Sequence, residues 1–268
     1  MAAVIADTFR VLHADPGGPV PEPLRGASLG LWDLMTRAAD HMSKEWLGQH
    51  RTDVGVLLRG IVHKFLIGAF PEPPDVEAAL AVPVDDGMTM FTNDIEYFEG
   101  FELPLLAKAT SGYVRMRIQL DEATAIQNDV FFIHRDRLTG DSDGTVNIVA
   151  ALERQHGKGT EHALLPARTM YLDRLTALES ACGQFVDQCR SLCRDSESVA
   201  QAELYAKNVY DLLHGTCHAH VYVAARGYLD AQPTVPPVSS CSRTTKTAPR
   251  RVRGCSGVFA GEWGCPGG

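Results

Sequence analysis

The sequence predicts an all-α fold. From about Ala27 to Tyr228 apolar residues recur at helical spacing, and strand-like alternation is nearly absent. The one strong internal breaker, Pro71-Glu72-Pro73-Pro74, separates two amphipathic runs. With no β-rich block to build a sheet, a helical bundle is the economical architecture.

Taken in order, residues 1–26 read as a remnant of an N-terminal helix followed by a linker. The stretch 14–26, ADPGGPVPEPLRG, carries four prolines and three glycines. LGLWDLMTRAADHMSKEWLGQH then places Leu29, Trp32, Met35 and Ala39 along one helix face. HRTDVGVLLRGIVHKFLIGAF continues helical until Pro73 and Pro74, which cannot extend a helix. Asp75 is the N-cap expected for VEAALA. Further helical stretches are expected at 88–99, 104–134, 145–156, 161–193 and 197–228. Residues 231–268 are rich in Pro, Ser, Thr, Gly and Arg, and too poor in apolar residues to offset ordering entropy; a disordered tail is expected. The chain thus divides into 1–26, a helical domain over 27–230, and a tail over 231–268.

Composition narrows the function classes. A net charge of −8 argues against a nucleic-acid surface or an anionic membrane as the main partner. It is compatible with a phosphate-bearing substrate, because divalent cations bridge carboxylates to phosphate oxygens. No stretch approaches 18 uninterrupted apolar residues, and the N-terminus has no basic leader. The seven cysteines show no C-x-x-C spacing; Cys182, Cys189, Cys193 and Cys217 fall in helical sequence as buried thiols. Cytoplasm is the expected compartment.

The chemistry concentrates at 127–136, Gln-Asn-Asp-Val-Phe-Phe-Ile-His-Arg-Asp, at the end of a long helix. Asn128, Phe132 and Asp136 follow the i, i+4, i+8 rule and share one face. An amide oxygen and a carboxylate two turns apart suit a hard cation such as Mg²⁺, with diphosphate and water completing its shell.

This segment resembles the NDxxSxxxE metal motif of class I terpene synthases. Asn128 matches the Asn, Asp136 stands at the Glu, and Phe132 replaces the Ser ligand and cannot coordinate. Arg135 matches a basic position that contacts diphosphate. The flanks are similar too: LWDLMTRAADHMSKEWLGQH, NDIEYFEGFELP (93–104), GDSDGTVNIVAALERQHG (140–157) and HGTCHAHVYVAARGY (214–228) match family stretches in the family's order, over roughly 9–228. The resemblance implies a class I terpenoid-synthase-like bundle, incomplete at its N-terminus. It implies a Mg²⁺-dependent lyase that ionises and cyclises farnesyl or geranyl diphosphate and releases diphosphate. Asn128 and Asp136 would hold metal, and Arg135, Arg226 and Tyr228 would serve the diphosphate end. Phe91, Phe98 and Phe101 are the candidates for an apolar wall that stabilises a carbocation. A homodimer is an allowed assembly.

The pattern also departs from the family. The aspartate-rich first motif would fall before Met1. The diphosphate-sensing Arg would fall at Val82 or Pro83, upstream of Asp86-Gly87. The C-terminal cavity Trp appears as Ala219 with His220 after it, and the Arg-Tyr pair is split as Arg226-Gly227-Tyr228. The competing reading is an inactive helical remnant that still binds a prenyl ligand or a partner protein. His214, His218 and His220 raise a zinc alternative, which lacks family-like ligand spacing.

Overall fold

The computed structural model describes residues 2–22, 24, 26–70, 72–85, 89–139, 146–193 and 195–223, and every regular element in them is helical. The chain runs through α1 (Ala2–His13), α2 (Ala27–Ala39), α3 (Lys44–Gly68), α4 (Val76–Asp85) and α5 (Thr89–Glu99). It continues through the single turn α6 (Leu105–Lys108), then α7 (Ser111–Thr139), α8 (Ile148–His156), α9 (Thr160–Leu192) and α10 (Ser196–Val223). No described helix is long and apolar enough to cross a membrane.

Side chains close several helix starts, where backbone N–H groups lack intrahelical partners. Ser43 Oγ accepts from Trp46 N at 3.1 Å at the start of α3. Asp75 Oδ1 accepts from Ala78 N at 2.8 Å, the cap expected before α4. Asp195 Oδ1 does the same for Ser198 N at 2.6 Å before α10.

The stretch expected as one helix over 104–134 is divided. Thr110 donates to the Ala107 carbonyl at 2.7 Å and accepts from Tyr113 N at 3.2 Å. One hydroxyl thereby ends α6 and starts α7, which then runs on to Thr139.

The main core lies between α7 and α9, with α8 and α10 completing it. Met116, Leu120 and Ile126 of α7 are buried with Tyr171, Leu178 and Phe185 of α9 and Tyr205 and Leu213 of α10. α7 and α9 approach so closely at Gly112 that a Cβ there would stand 2.4 Å from Phe185 N. A smaller core joins Val11 of α1 to Trp32, Met35 and Ala38 of α2 and to Met42, Trp46 and Leu47. In α3 the Trp46 indole stacks on the buried His50 imidazole, centroids 5.0 Å apart and planes within 6°.

NDIEYFEGFELP acts as a clasp between the two cores. Glu102 accepts from both Ser43 N and Ser43 Oγ at 2.5 Å, fixing the start of α3. Buried Glu96 accepts from Leu103 N at 2.6 Å and from Lys108 Nζ at 2.8 Å. Asn93 donates to Asp53 Oδ2 at 2.5 Å, and Arg117 of α7 reaches the same oxygen at 2.8 Å. Two bonds to one buried carboxylate oxygen tie α3, α5 and α7 together.

Candidate functional site

The candidate site occupies the C-terminal third of α7 and what folds back onto it. Asn128 is half-buried, while Phe132 and Asp136 are buried along the same stripe. Arg135 lies beside them: its Nε and Nη2 donate to Asp136 Oδ1 at 2.9 and 2.6 Å. Its guanidinium carbon sits 4.4 Å from the Phe132 ring centroid, within cation–π range.

Asn147, the N-cap of α8, joins the site although no sequence motif marks it as functional. Its Oδ1 accepts from Val149 N and Ala150 N, at 2.9 and 3.4 Å. Its Nδ2 donates to the Asp129 carbonyl and to Asp136 Oδ2, both at 3.0 Å. Asp129 Oδ2 in turn accepts from Ile148 N at 2.6 Å. One amide and one carboxylate thus sew the start of α8 to α7. The signal available in sequence was the Asn-Ile-Val of the 140–157 match, an N-cap ahead of an apolar run.

From α10, His220 packs edge-on against Phe132 at 5.2 Å and tilted against Phe131 at 5.4 Å. Burial, reinforced by the positive charge of Arg135, lowers its pKa to about 4. The imidazole is therefore neutral at pH 7. His214 and His218 face each other on the exposed side of α10, centroids 4.5 Å apart. The three histidines therefore do not converge.

The aromatic candidates separate. Phe101 packs against the main core, whereas Phe91 is exposed and Phe98 is 81% exposed, its ring edge-on to Tyr97. Arg226, Tyr228, Asp86-Gly87, the tail over 231–268 and the side chains of Val82 and Pro83 lie outside the described residues.

The arrangement can be tested for Mg²⁺. Such an ion needs several oxygen donors not already committed elsewhere. Phe132 offers none, and both oxygens of Asp136 accept hydrogen bonds, from Arg135 and Asn147. Among the described residues no group of three His, Cys, Asp or Glu side chains converges. Asn128 adds a single amide oxygen, so Asn128, Phe132 and Asp136 do not by themselves fit a magnesium site.

Residues 2–177 match the family model described as terpene synthase family 2, C-terminal metal binding. No curated protein matches the sequence. Among solved structures, wild-type cucumene synthase is similar with a TM-score of 0.66 and 20% identity, over 82% of this chain and 73% of that one. α-Eudesmol synthase gives 0.69 and 17%, over 82% and 70%. The linalool/nerolidol synthase of Streptomyces clavuligerus, in complex with 2-fluorogeranyl diphosphate, gives 0.69 and 18%, over 82% and 73%. At these identities the likeness establishes the fold.

Proposed function

This chain belongs to terpene synthase family 2, and from that premise we propose that its ligand is a prenyl diphosphate of the farnesyl or geranyl class. The diphosphate would lie toward the C-terminal end of α7 and the hydrocarbon within the bundle. The reaction read from the family resemblance is heterolysis of the allylic carbon–oxygen bond. The bonding pair leaves with diphosphate, and the carbocation cyclises before losing a proton or capturing water. The cytoplasm is the compartment proposed for it.

The observation that carries the ligand class is the match over 2–177 together with the Asn128–Asp136 spacing beside Arg135. The similar fold of a synthase solved with 2-fluorogeranyl diphosphate supports the same class. In this reading Arg135 supplies positive charge near a departing diphosphate, the electrostatic contribution that dominates in catalysis of this type. The buried aromatic and aliphatic side chains exclude the water that would quench a cation. The resemblance assigns Mg²⁺ to the diphosphate, but the Asn128–Phe132–Asp136 stripe offers it too few donors.

A second reading, an inactive binder of a prenyl ligand, is favoured by one specific observation. Asp136 is already neutralised by Arg135 and held by Asn147, and Phe132 replaces a ligand. Loss of a preorganised stabiliser typically costs about 10²–10³ in rate.

The test is incubation of the full chain with farnesyl and geranyl diphosphate and Mg²⁺. Volatile products and released diphosphate are measured, and thermal unfolding is followed with and without each ligand. Product with equimolar diphosphate supports the first reading. Stabilisation without product supports the second; ligand at 100 times its Kd adds about 2.7 kcal/mol. Neither product nor stabilisation refutes both.

A further inference from the structure

Three positions on α7 are spaced for metal ligation, and the middle one is an aromatic ring. That ring is not passive filler. It carries the Arg135 guanidinium on its face at 4.4 Å, and two of that group's N–H bonds converge on Asp136 Oδ1. The Asp136 side chain is only 3% exposed and that of Arg135 only 26%. Asn147 occupies the other carboxylate oxygen. The His220 ring stands perpendicular to the Phe132 ring, centroids 5.2 Å apart. A surface ion pair of adjacent residues would show none of this burial, stacking or second clamp.

A divalent ion arriving here would meet a neutralised carboxylate, a fixed like charge beside it, and a phenyl face where an oxygen is needed. We propose that the Arg135 guanidinium, seated on Phe132 and clasped by Asp136, takes the place of the divalent cation at the Asn128–Phe132–Asp136 stripe, so that this stripe binds no metal with or without diphosphate. The proposal rests on the family reading only for the expectation that a metal belongs at these positions. Arg135 is then a positioning charge built into the chain, and the site's electrostatics do not depend on cation concentration.

Thermal unfolding of the full chain in inorganic pyrophosphate, once with Mg²⁺ and once with EDTA, tests this. The expected result is one midpoint in both conditions. Phe132→Ser/Arg135→Gln returns a hydroxyl to the ligand spacing and removes the tethered charge. Far-UV circular dichroism first confirms that it folds. Mg²⁺ with pyrophosphate should then raise its midpoint by several degrees, and titration calorimetry should detect the bound ion. A Mg²⁺-dependent rise in the parent chain that Asp136→Asn abolishes would overturn the proposal, as would a folded double variant with no metal response. A rise that persists in Asp136→Asn comes from another site and leaves the proposal standing. If the double variant does not fold, the parent and Asp136→Asn still decide the matter. Failure here is distinct from failure of the prenyl-diphosphate reading. That reading is judged by product and by stabilisation with prenyl diphosphates, neither of which requires a metal on α7.

Discussion

Replacing Gly112 with alanine should destabilise the bundle although alanine is the better helix former. A Cβ at this position would stand 2.4 Å from Phe185 N, 2.5 Å from Phe185 Cα and 2.9 Å from Gln184 C. Ordinary contact between such atoms is about 3.5–4.0 Å, so α7 and α9 would have to separate by about 1 Å at the crossing. The obstruction is backbone, which no rotamer change relieves. Phe185 is fully buried and packs against Tyr113 and Tyr205, with centroids at 5.8 and 6.1 Å, so that separation also loosens the aromatic centre of the core. Overpacking of this kind costs about 1–3 kcal/mol, here toward the upper end, against a propensity gain of about 1 kcal/mol. The net loss should be about 2 kcal/mol, or roughly 4–8 °C in midpoint for a domain of this size. Gly183, on the exposed side of α9 with nothing within 4 Å of its Cβ position, is the control. Gly183→Ala should stabilise by about 0.5–1 kcal/mol. Urea unfolding followed by helical circular dichroism measures both. A Gly112→Ala variant as stable as its parent would refute the close-approach argument.

Asn147→Ala should cost about 2–4 kcal/mol, combining a lost cap with the loss of a buried hydrogen bond to Asp136. Amide exchange should rise most in α8; an unchanged exchange pattern there would remove Asn147 from its role as the seam between α7 and α8. Burial raises the Asp94 pKa from 3.8 to about 6, so the folded state holds that proton more tightly than the unfolded chain. Its contribution is therefore present below about pH 4 and lost as pH rises through 6. Asp94→Asn should be more stable than the parent at pH 8, by about 3 kcal/mol at most, with the gap closing by pH 4; a pH-independent gap would contradict this. Burial also pushes the thiols of Cys182 and Cys189 up to about 12 and about 11. Iodoacetamide at pH 8 should therefore modify half-buried Cys193 well before either, as read by peptide mass spectrometry.

Most of the helical order was legible because a 3.6-residue period and proline stops are local signals. The expected 161–193 stretch became α9 over 160–192, and Asp75 capped α4 as its position before VEAALA suggested. The division at Thr110 was not legible. Ala-Thr-Ser-Gly contains no proline, and the stop comes from one hydroxyl bonding in both directions. At the site, the Asn128–Phe132–Asp136 stripe follows from helix geometry alone. What neutralises Asp136 does not. Asn147 reaches it because α8 folds back onto α7, and Arg135 bonds to it while lying over the Phe132 ring. Glu96 and Glu102 show the converse. Their stretch resembles a family signature, and in the structure both carboxylates serve as structural clamps. Phe98 had helical spacing but an undetermined facing, and its ring points outward.

The stacked Trp46–His50 pair gives the molecule an optical reporter. A protonated imidazole quenches indole emission at contact distance, whereas a neutral one does so far less. Burial lowers the His50 pKa below 6.5, so the indole stays bright through neutral pH and should dim only in acid. Trp46 sits in the smaller core, beside the α3 start that Glu102 holds. Its emission would therefore follow acid loosening of that layer separately from the α7–α9 core, whose buried aromatics are tyrosine and phenylalanine.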